Sequence, residues 1–185
     1  FLNHQDLPVL FSRAARRAGL SQEFTQGFSP HPRISLGPAL AAGVEGHQEP
    51  ADFWFNEWDD TSLVRWNDKL PEGISILKYA ETEGVLLSKL TEAALYRISG
   101  VNFELDSEAL NALKKEVERT GTLYEAFIDK GSAVLILGGL ENCGAGNLVR
   151  SLKEEGICEG WKDLYLIREC VGTWDAETGT ILPLI

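Results

Sequence analysis

The sequence predicts an α+β fold made of two ferredoxin-like βαββαβ units side by side, the first lacking its opening strand. Three observations carry that expectation. The 185 residues suffice for one large domain or two small ones. Residues 92–185 read β-α-β-β-α-β, and residues 1–80 read α-β-β-α-β, the same order with the first strand missing. Residues 81–91 form a weakly patterned connection between them. The repeat lies in element order rather than in sequence identity.

The first element is a helix over 7–18. Asp6 is its expected N-cap, and Pro8 falls in the first turn, where a missing N–H costs little. Leu7, Leu10, Phe11, Ala14, Ala15 and Ala18 recur at helical spacing, and Gly19 ends the run. Arg13, Arg16 and Arg17 share the other side. Pro30, Pro32 and Pro38 exclude a helix over 22–44, and alternation around Arg33–Leu36 predicts a strand entered through a stiff Ser-Pro-His-Pro turn. Ala51–Asn56 reads as an aromatic-rich strand. Asp59 or Asp60 caps a short helix holding Leu63, Trp66 and Leu70, Pro71-Glu72-Gly73 stops it, and Ile74–Tyr79 reads as a strand.

The second half opens with a strand at Ala93–Ser99. Asp106 or Ser107 then caps a helix with Ala109, Leu110, Leu113 and Val117 on one face, ending near Gly121. Leu123–Ile128 and Ala133–Leu137 are strands joined by the turn Asp129-Lys130-Gly131-Ser132. A helix over 146–155 ends at Gly156, and Leu164–Cys170 is the last expected strand.

Composition narrows the function classes. A hydrophobic share of 44% and a charged share of 24% are ordinary for a globular protein. No apolar run approaches the ~20 residues that span a bilayer, and the start has no signal-peptide pattern. The lack of an initiator methionine, and of methionine altogether, leads us to expect a piece of a longer polypeptide, and its three cysteines fit a reducing cytoplasm. Cys143, Cys158 and Cys170 are odd in number and widely spaced, which suits small buried apolar residues rather than disulfides, zinc or an iron–sulfur cluster. The net charge is −11, unevenly spread: residues 1–40 hold four arginines against Asp6 and Glu23. An acidic chain is a poor prior for non-specific nucleic-acid binding, but a local basic patch suits a selected anion.

Three segments could carry chemistry. Thr25 to Ser35 concentrates Gln26, Gly27, Phe28, Ser29, His31, Arg33 and Ser35 in a proline-braced stretch, where a rigid loop presents an imidazole, a planar guanidinium and an aromatic face. His4, just before the first helix, could join Arg13, Arg16 and Arg17 in holding an anion near the helix start. The Gly-rich run 138–147 lies between strand and helix but lacks the Walker lysine and the dinucleotide fingerprint, so a flexible connection is the simpler reading. No metal motif or catalytic pair stands out, and a hydrolase using His31 as base has no evident partner acid. Trp54, Trp58 and Trp66 read as core and rim residues.

The blocks Phe1 to Leu7, Arg13 to Leu20 and Gln26 to Ser35 resemble the radical-SAM-linked domain of unknown function, in which a helix runs into a Gln-Gly-Phe-Asn/Ser-Pro-His-Pro-Lys/Arg-Ile-Ser segment. Gly37 to Leu40, Gly43 to Glu45 and Pro71 to Ile74 continue the likeness, which covers about residues 1–80. The resemblance implies a domain fused to, or encoded beside, a radical S-adenosylmethionine protein. The iron–sulfur cluster and S-adenosylmethionine would then belong to that partner, and a strand would precede Phe1. The company the family keeps suggests RNA modification. The expected function is non-catalytic recognition of structured RNA, tRNA or rRNA, for the radical SAM domain. The alternative is a protein-interaction domain that docks onto that domain and has no ligand of its own.

Overall fold

A computed structural model describes residues 3–82 and 85–184. The fold is α+β, and the chain divides into two compact units that interleave in sequence. One comprises residues 37–50 and 88–184, the other residues 3–36 and 51–87. Segment 37–50 therefore belongs with the C-terminal half, which a contiguous division cannot express.

In the larger unit, β2 (Val44–Gly46), β4 (Ala93–Gly100), β5 (Thr122–Asp129), β6 (Ser132–Gly138), β7 (Leu164–Asp175) and β8 (Thr180–Pro183) form one sheet. Its central order is β7-β4-β6-β5, with every neighbour antiparallel. Helix α3 (Ser107–Thr120) joins β4 to β5, and α4 (Ala145–Glu154) joins β6 to β7. This is the predicted ferredoxin-like arrangement. Asp106 caps α3 by accepting hydrogen bonds from Glu108 N and Ala109 N at 2.9 and 3.1 Å. Leu113 and Val117 of α3 and Leu148 and Leu152 of α4 pack on Tyr96, Ile98, Leu135, Leu137 and Leu166, all buried. Gly121 is required where it stands, because a Cβ there would meet Gly138 O at 2.4 Å.

The additions at the sheet edge were not expected. β2 pairs in parallel with β7, Val44 opposite Leu166, and β8 pairs antiparallel with the extended end of β7. Segment 37–50 is anchored by Arg168, which is almost fully buried. Its Nε and Nη2 donate to the Glu49 carboxylate at 2.8 and 2.5 Å, Nη2 also to Pro38 O at 2.6 Å, and Nη1 to Ala39 O and Tyr96 OH, both at 3.3 Å. A charge taken out of water this way needs such a complete set of partners.

In the smaller unit, α1 (Leu7–Arg17) and α2 (Ser62–Asn67) accompany a sheet in which β1 (Ile34–Leu36) and β3 (Ala51–Phe53) pair antiparallel, Ile34 opposite Phe53 and Ser35 opposite Asp52. Its core is Ala14, Ala15, Ala18, Leu20 and Trp66, with Phe11, Phe53, Phe55 and Trp58 against it. The Trp66 ring meets Phe53, Phe55 and Phe11 edge-on at 4.8, 5.2 and 6.1 Å, and its Nε1 donates to Phe11 O at 3.2 Å. Such pairs contribute about 0.5–1.5 kcal/mol each beyond area burial.

This unit does not repeat the ferredoxin-like order among the described residues. β2 leaves for the other sheet, and the strand expected at Ile74–Tyr79 is absent. Its place in the fold comes from a side chain: Asn67 Nδ2 donates to Ile76 O at 2.9 Å, and Ile76 N donates to Asn67 Oδ1 at 2.7 Å. One amide thus supplies what a strand neighbour would have supplied.

Candidate functional site

The proline-rich segment folds back as a hairpin. Thr25 N donates to His31 O at 2.8 Å, Arg33 N donates to Glu23 O at 2.9 Å, and Phe24 bridges to Pro32. Its base joins β3 through Glu23 N to Trp54 O at 2.9 Å and the bridge from Gln22 to Phe55. Strand alternation then divides the side chains. Gln22 faces α1, where its Oε1 accepts from Ser12 Oγ at 2.8 Å, and Phe53 and Phe55 enter the core on that side. Glu23, Thr25, His31, Arg33, Ser35, Asp52 and Trp54 share the outward side.

On that outward face Arg33 lies over the Trp54 ring, 4.6 Å from its centroid, and Nη1 is 2.6 Å from Glu23 Oε2. The stack fixes a guanidinium plane that is otherwise mobile. His31 is exposed, with Nδ1 at 3.1 Å from Thr25 Oγ1 and 3.3 Å from Ser29 O. Nε2 has no partner among the described residues. Burial raises the pKa of Asp52, whose carboxylate has no hydrogen-bond or ion-pair partner among the described residues. The tip, Gln26, Gly27, Phe28 and Ser29, is exposed, and the Phe28 ring is completely so; Phe24 is half-exposed. Gly27 has φ +128°, a conformation that suits glycine.

The helix arginines are elsewhere. Ala14, Ala15 and Ala18 define the inward face of α1, and at about 100° per residue Arg13 and Arg16 project from the opposite face. Both are exposed and neither has a partner among the described residues. Arg17 donates from Nη2 to Lys69 O at 2.8 Å. The expected single cationic surface joining Arg33 to the helix arginines is therefore two surfaces: α1 covers the inner side of the sheet, and Arg33 stands on its outer side. The helix start also differs from expectation. Asp6 makes no side-chain cap; Asn3 Oδ1 accepts from Gln5 N and Asp6 N at 2.7 and 3.1 Å, and His4, partly exposed, lies in that turn.

The Gly-rich loop leads into α4 through Gly144, with no side-chain cap. Next to it, Glu116 binds Arg119 at 2.7 and 2.9 Å and Asn147 and Arg150 at 3.3 Å, so these groups tie α3 to α4. Burial raises the thiol pKa of Cys143, Cys158 and Cys170, which suits apolar packing rather than nucleophilic use. His47 Nε2 lies 2.8 Å from Glu45 Oε1, and Tyr165 OH donates to the other oxygen of that carboxylate. Among the described residues no three histidine, cysteine or carboxylate side chains are grouped to hold a metal ion, and no helix is long and apolar enough to cross a membrane.

Sequence reasoning missed Glu23, Asp52 and Trp54 as neighbours of His31 and Arg33. The alternation of Asp52-Phe53-Trp54-Phe55 was the available signal, since two aromatic residues facing a core send Asp52 and Trp54 to the other side. The hairpin and both helices of this unit lie within residues 1–133, which match the family of uncharacterized proteins conserved in bacteria called DUF2344. The chain belongs to that family. No curated protein matches the sequence.

Proposed function

We propose that this domain recognises structured RNA for a radical S-adenosylmethionine protein, fused to it or separate. The outward face of the small sheet contacts an unpaired base. The observation that carries this reading is the Arg33–Trp54 stack beside His31, a flat polar platform on an exposed face. Unpaired bases of RNA are bound by stacking on aromatic rings or on guanidinium planes, with hydrogen bonds to their edges. Gln26, Ser29, His31 and Ser35 supply donors and acceptors next to that platform. The iron–sulfur cluster and S-adenosylmethionine belong to the partner, and the chemistry of modification is the partner's.

The charge distribution sets a condition on this reading. Arg33 is neutralised by Glu23, and the chain carries −11. Affinity then rests on stacking, about 1–3 kcal/mol per base, and Arg13, Arg16 and Arg17 contribute phosphate contacts only where the RNA wraps round the sheet onto α1. The salt dependence is correspondingly shallow, a log–log slope of about −0.7 per phosphate contacted. Filter binding with total tRNA and rRNA fragments tests the proposal. Arg16→Ala with Arg33→Ala weakens binding; unchanged binding refutes it.

A second reading is favoured by one specific observation. Phe28 is fully exposed at the tip of a braced hairpin, an arrangement that suits insertion into an apolar pocket of the radical SAM catalytic domain. Co-purification of this chain with the separately expressed catalytic domain, lost in Phe28→Ser, supports docking. Failure to associate at micromolar concentration refutes it.

A further inference from the structure

Two strands place four side chains in a square on the outward face. Arg33 and Ser35 follow one another on one strand, and Trp54 and Asp52 lie on its neighbour, with Ser35 directly opposite Asp52. The Arg33–Trp54 half is closed: guanidinium on ring, with Glu23 at the rim. The Ser35–Asp52 half is open, because neither side chain has a hydrogen-bond partner among the described residues. Burial already disfavours the Asp52 charge, so the half-buried carboxylate is an acceptor pair lacking donors.

Resting on the RNA reading above, we infer that Asp52 beside the Arg33–Trp54 stack selects guanine as the unpaired base. Diagonal neighbours across two strands are about 7–8 Å apart, a span that a purine bridges. A base laid on the solvent face of the Arg33 guanidinium extends its Watson–Crick edge toward Asp52. Guanine presents two adjacent donors there, N1–H and N2–H2, which match the two carboxylate oxygens as a charge-assisted bidentate pair. Adenine offers an acceptor at N1 facing the carboxylate. Uracil offers one donor, N3–H, flanked by two carbonyl acceptors, and cytosine one donor, the N4 amino group, beside the acceptors N3 and O2. The discrimination therefore comes from a paired attraction for one base and lone-pair repulsion for the others. Ser35, directly across from Asp52, is placed to bond a remaining polar atom.

The test uses the intact chain and fluorescently labelled RNA hairpins with one stem and a loop whose single guanine is kept, changed to inosine or changed to adenine. Inosine lacks only the N2 amino group, so the comparison needs no protein variant. Losing one hydrogen bond to a charged acceptor lowers affinity roughly tenfold or more. The guanine loop is expected to bind about tenfold more tightly than the inosine loop and more tightly still than the adenine loop. Asp52→Asn, close in shape, is expected to bring guanine and inosine to within about twofold, with guanine losing more affinity than inosine. Equal binding of guanine and inosine loops by the unaltered chain overturns the inference while leaving RNA recognition standing, and so does an undiminished preference in Asp52→Asn. If none of the hairpins binds, the RNA reading falls and this inference falls with it.

Discussion

The buried polar networks of the larger unit contrast with the open groups on the surface of the smaller one. In the larger one, nearly buried Arg168 has donors placed on Glu49, Pro38, Ala39 and Tyr96, and Glu116 gathers Arg119, Asn147 and Arg150. Arg97 is likewise held between Asp129 and Glu169 at 3.0 and 2.6 Å. In the smaller unit Asp52, Arg13, Arg16 and the Nε2 atom of His31 stand without partners among the described residues, and Phe28 has no cover. Closed networks fix architecture, because an incomplete one costs the full desolvation of its orphaned members. Open groups on the surface fix nothing in the fold. They make sense as contacts for something else, and mutation should separate the two kinds.

The largest expected effect is in the closed set. Arg168→Ala strands the Glu49 carboxylate and the carbonyls of Pro38 and Ala39, and should lower stability by about 3–5 kcal/mol. Urea unfolding checks the magnitude, and hydrogen exchange should show loss of protection at His47 N, which donates to Arg168 O at 3.0 Å. A substitution that leaves the urea midpoint unchanged would show that segment 37–50 is held by other means. Trp66→Ala, which removes the centre of the aromatic cluster, should cost a similar ~3–5 kcal/mol, detected as early loss of the near-ultraviolet signal of the smaller unit.

A smaller effect has opposite signs in the two units. Burial works against the Glu116 charge, but the hydrogen bonds from Arg119, Asn147 and Arg150 outweigh it and hold its pKa below the ordinary value. Its stabilising contribution is present at neutral pH and is lost as pH falls through the folded-state pKa. Glu116→Gln should therefore lower the urea midpoint at pH 7, with the difference shrinking below about pH 4. Asp52 has a raised pKa, so its ionised form opposes folding at neutral pH. Asp52→Asn should raise the midpoint slightly at pH 7, and the gain should vanish in acid. A loss of stability on Asp52→Asn at pH 7 would place Asp52 among the closed groups instead. Phe28→Ser should be the quietest change, within about 0.5 kcal/mol of the parent, as expected for a ring that contacts nothing in its own fold.

Much of the fold was legible because it is local. Periodicity found α1 and α3 to within a residue or two, the turn Asp129-Lys130-Gly131-Ser132 gave the β5–β6 hairpin, and the ferredoxin-like order of the second half followed. What escaped was non-local. Three-residue β2 has no pattern of its own and exists because Leu166 to Arg168 offer it an edge more than a hundred residues away. The supposed strand at 74–79 alternates correctly but is tied by the Asn67 amide, a substitution of side chain for ladder that periodicity cannot register. These two facts together account for the single ferredoxin-like unit where two were expected. At the candidate site, His31 and Arg33 were visible through their prolines. Trp54 clusters in sequence with Trp58 and Trp66, a pattern that suggests core and rim residues, whereas the period of two sends it outward with Asp52.

The central proposal is that RNA contacts the outward face of the smaller unit and not the helices of the larger one. Amide chemical-shift mapping of the intact chain, titrated with an RNA hairpin carrying a loop guanine, tests this most directly. The account predicts shifts concentrated at residues 23–35 and 52–54, with weaker ones at Arg13 and Arg16 and none along α3 and α4. Shifts confined to α3 and α4, or an unchanged spectrum at saturating RNA, would contradict it.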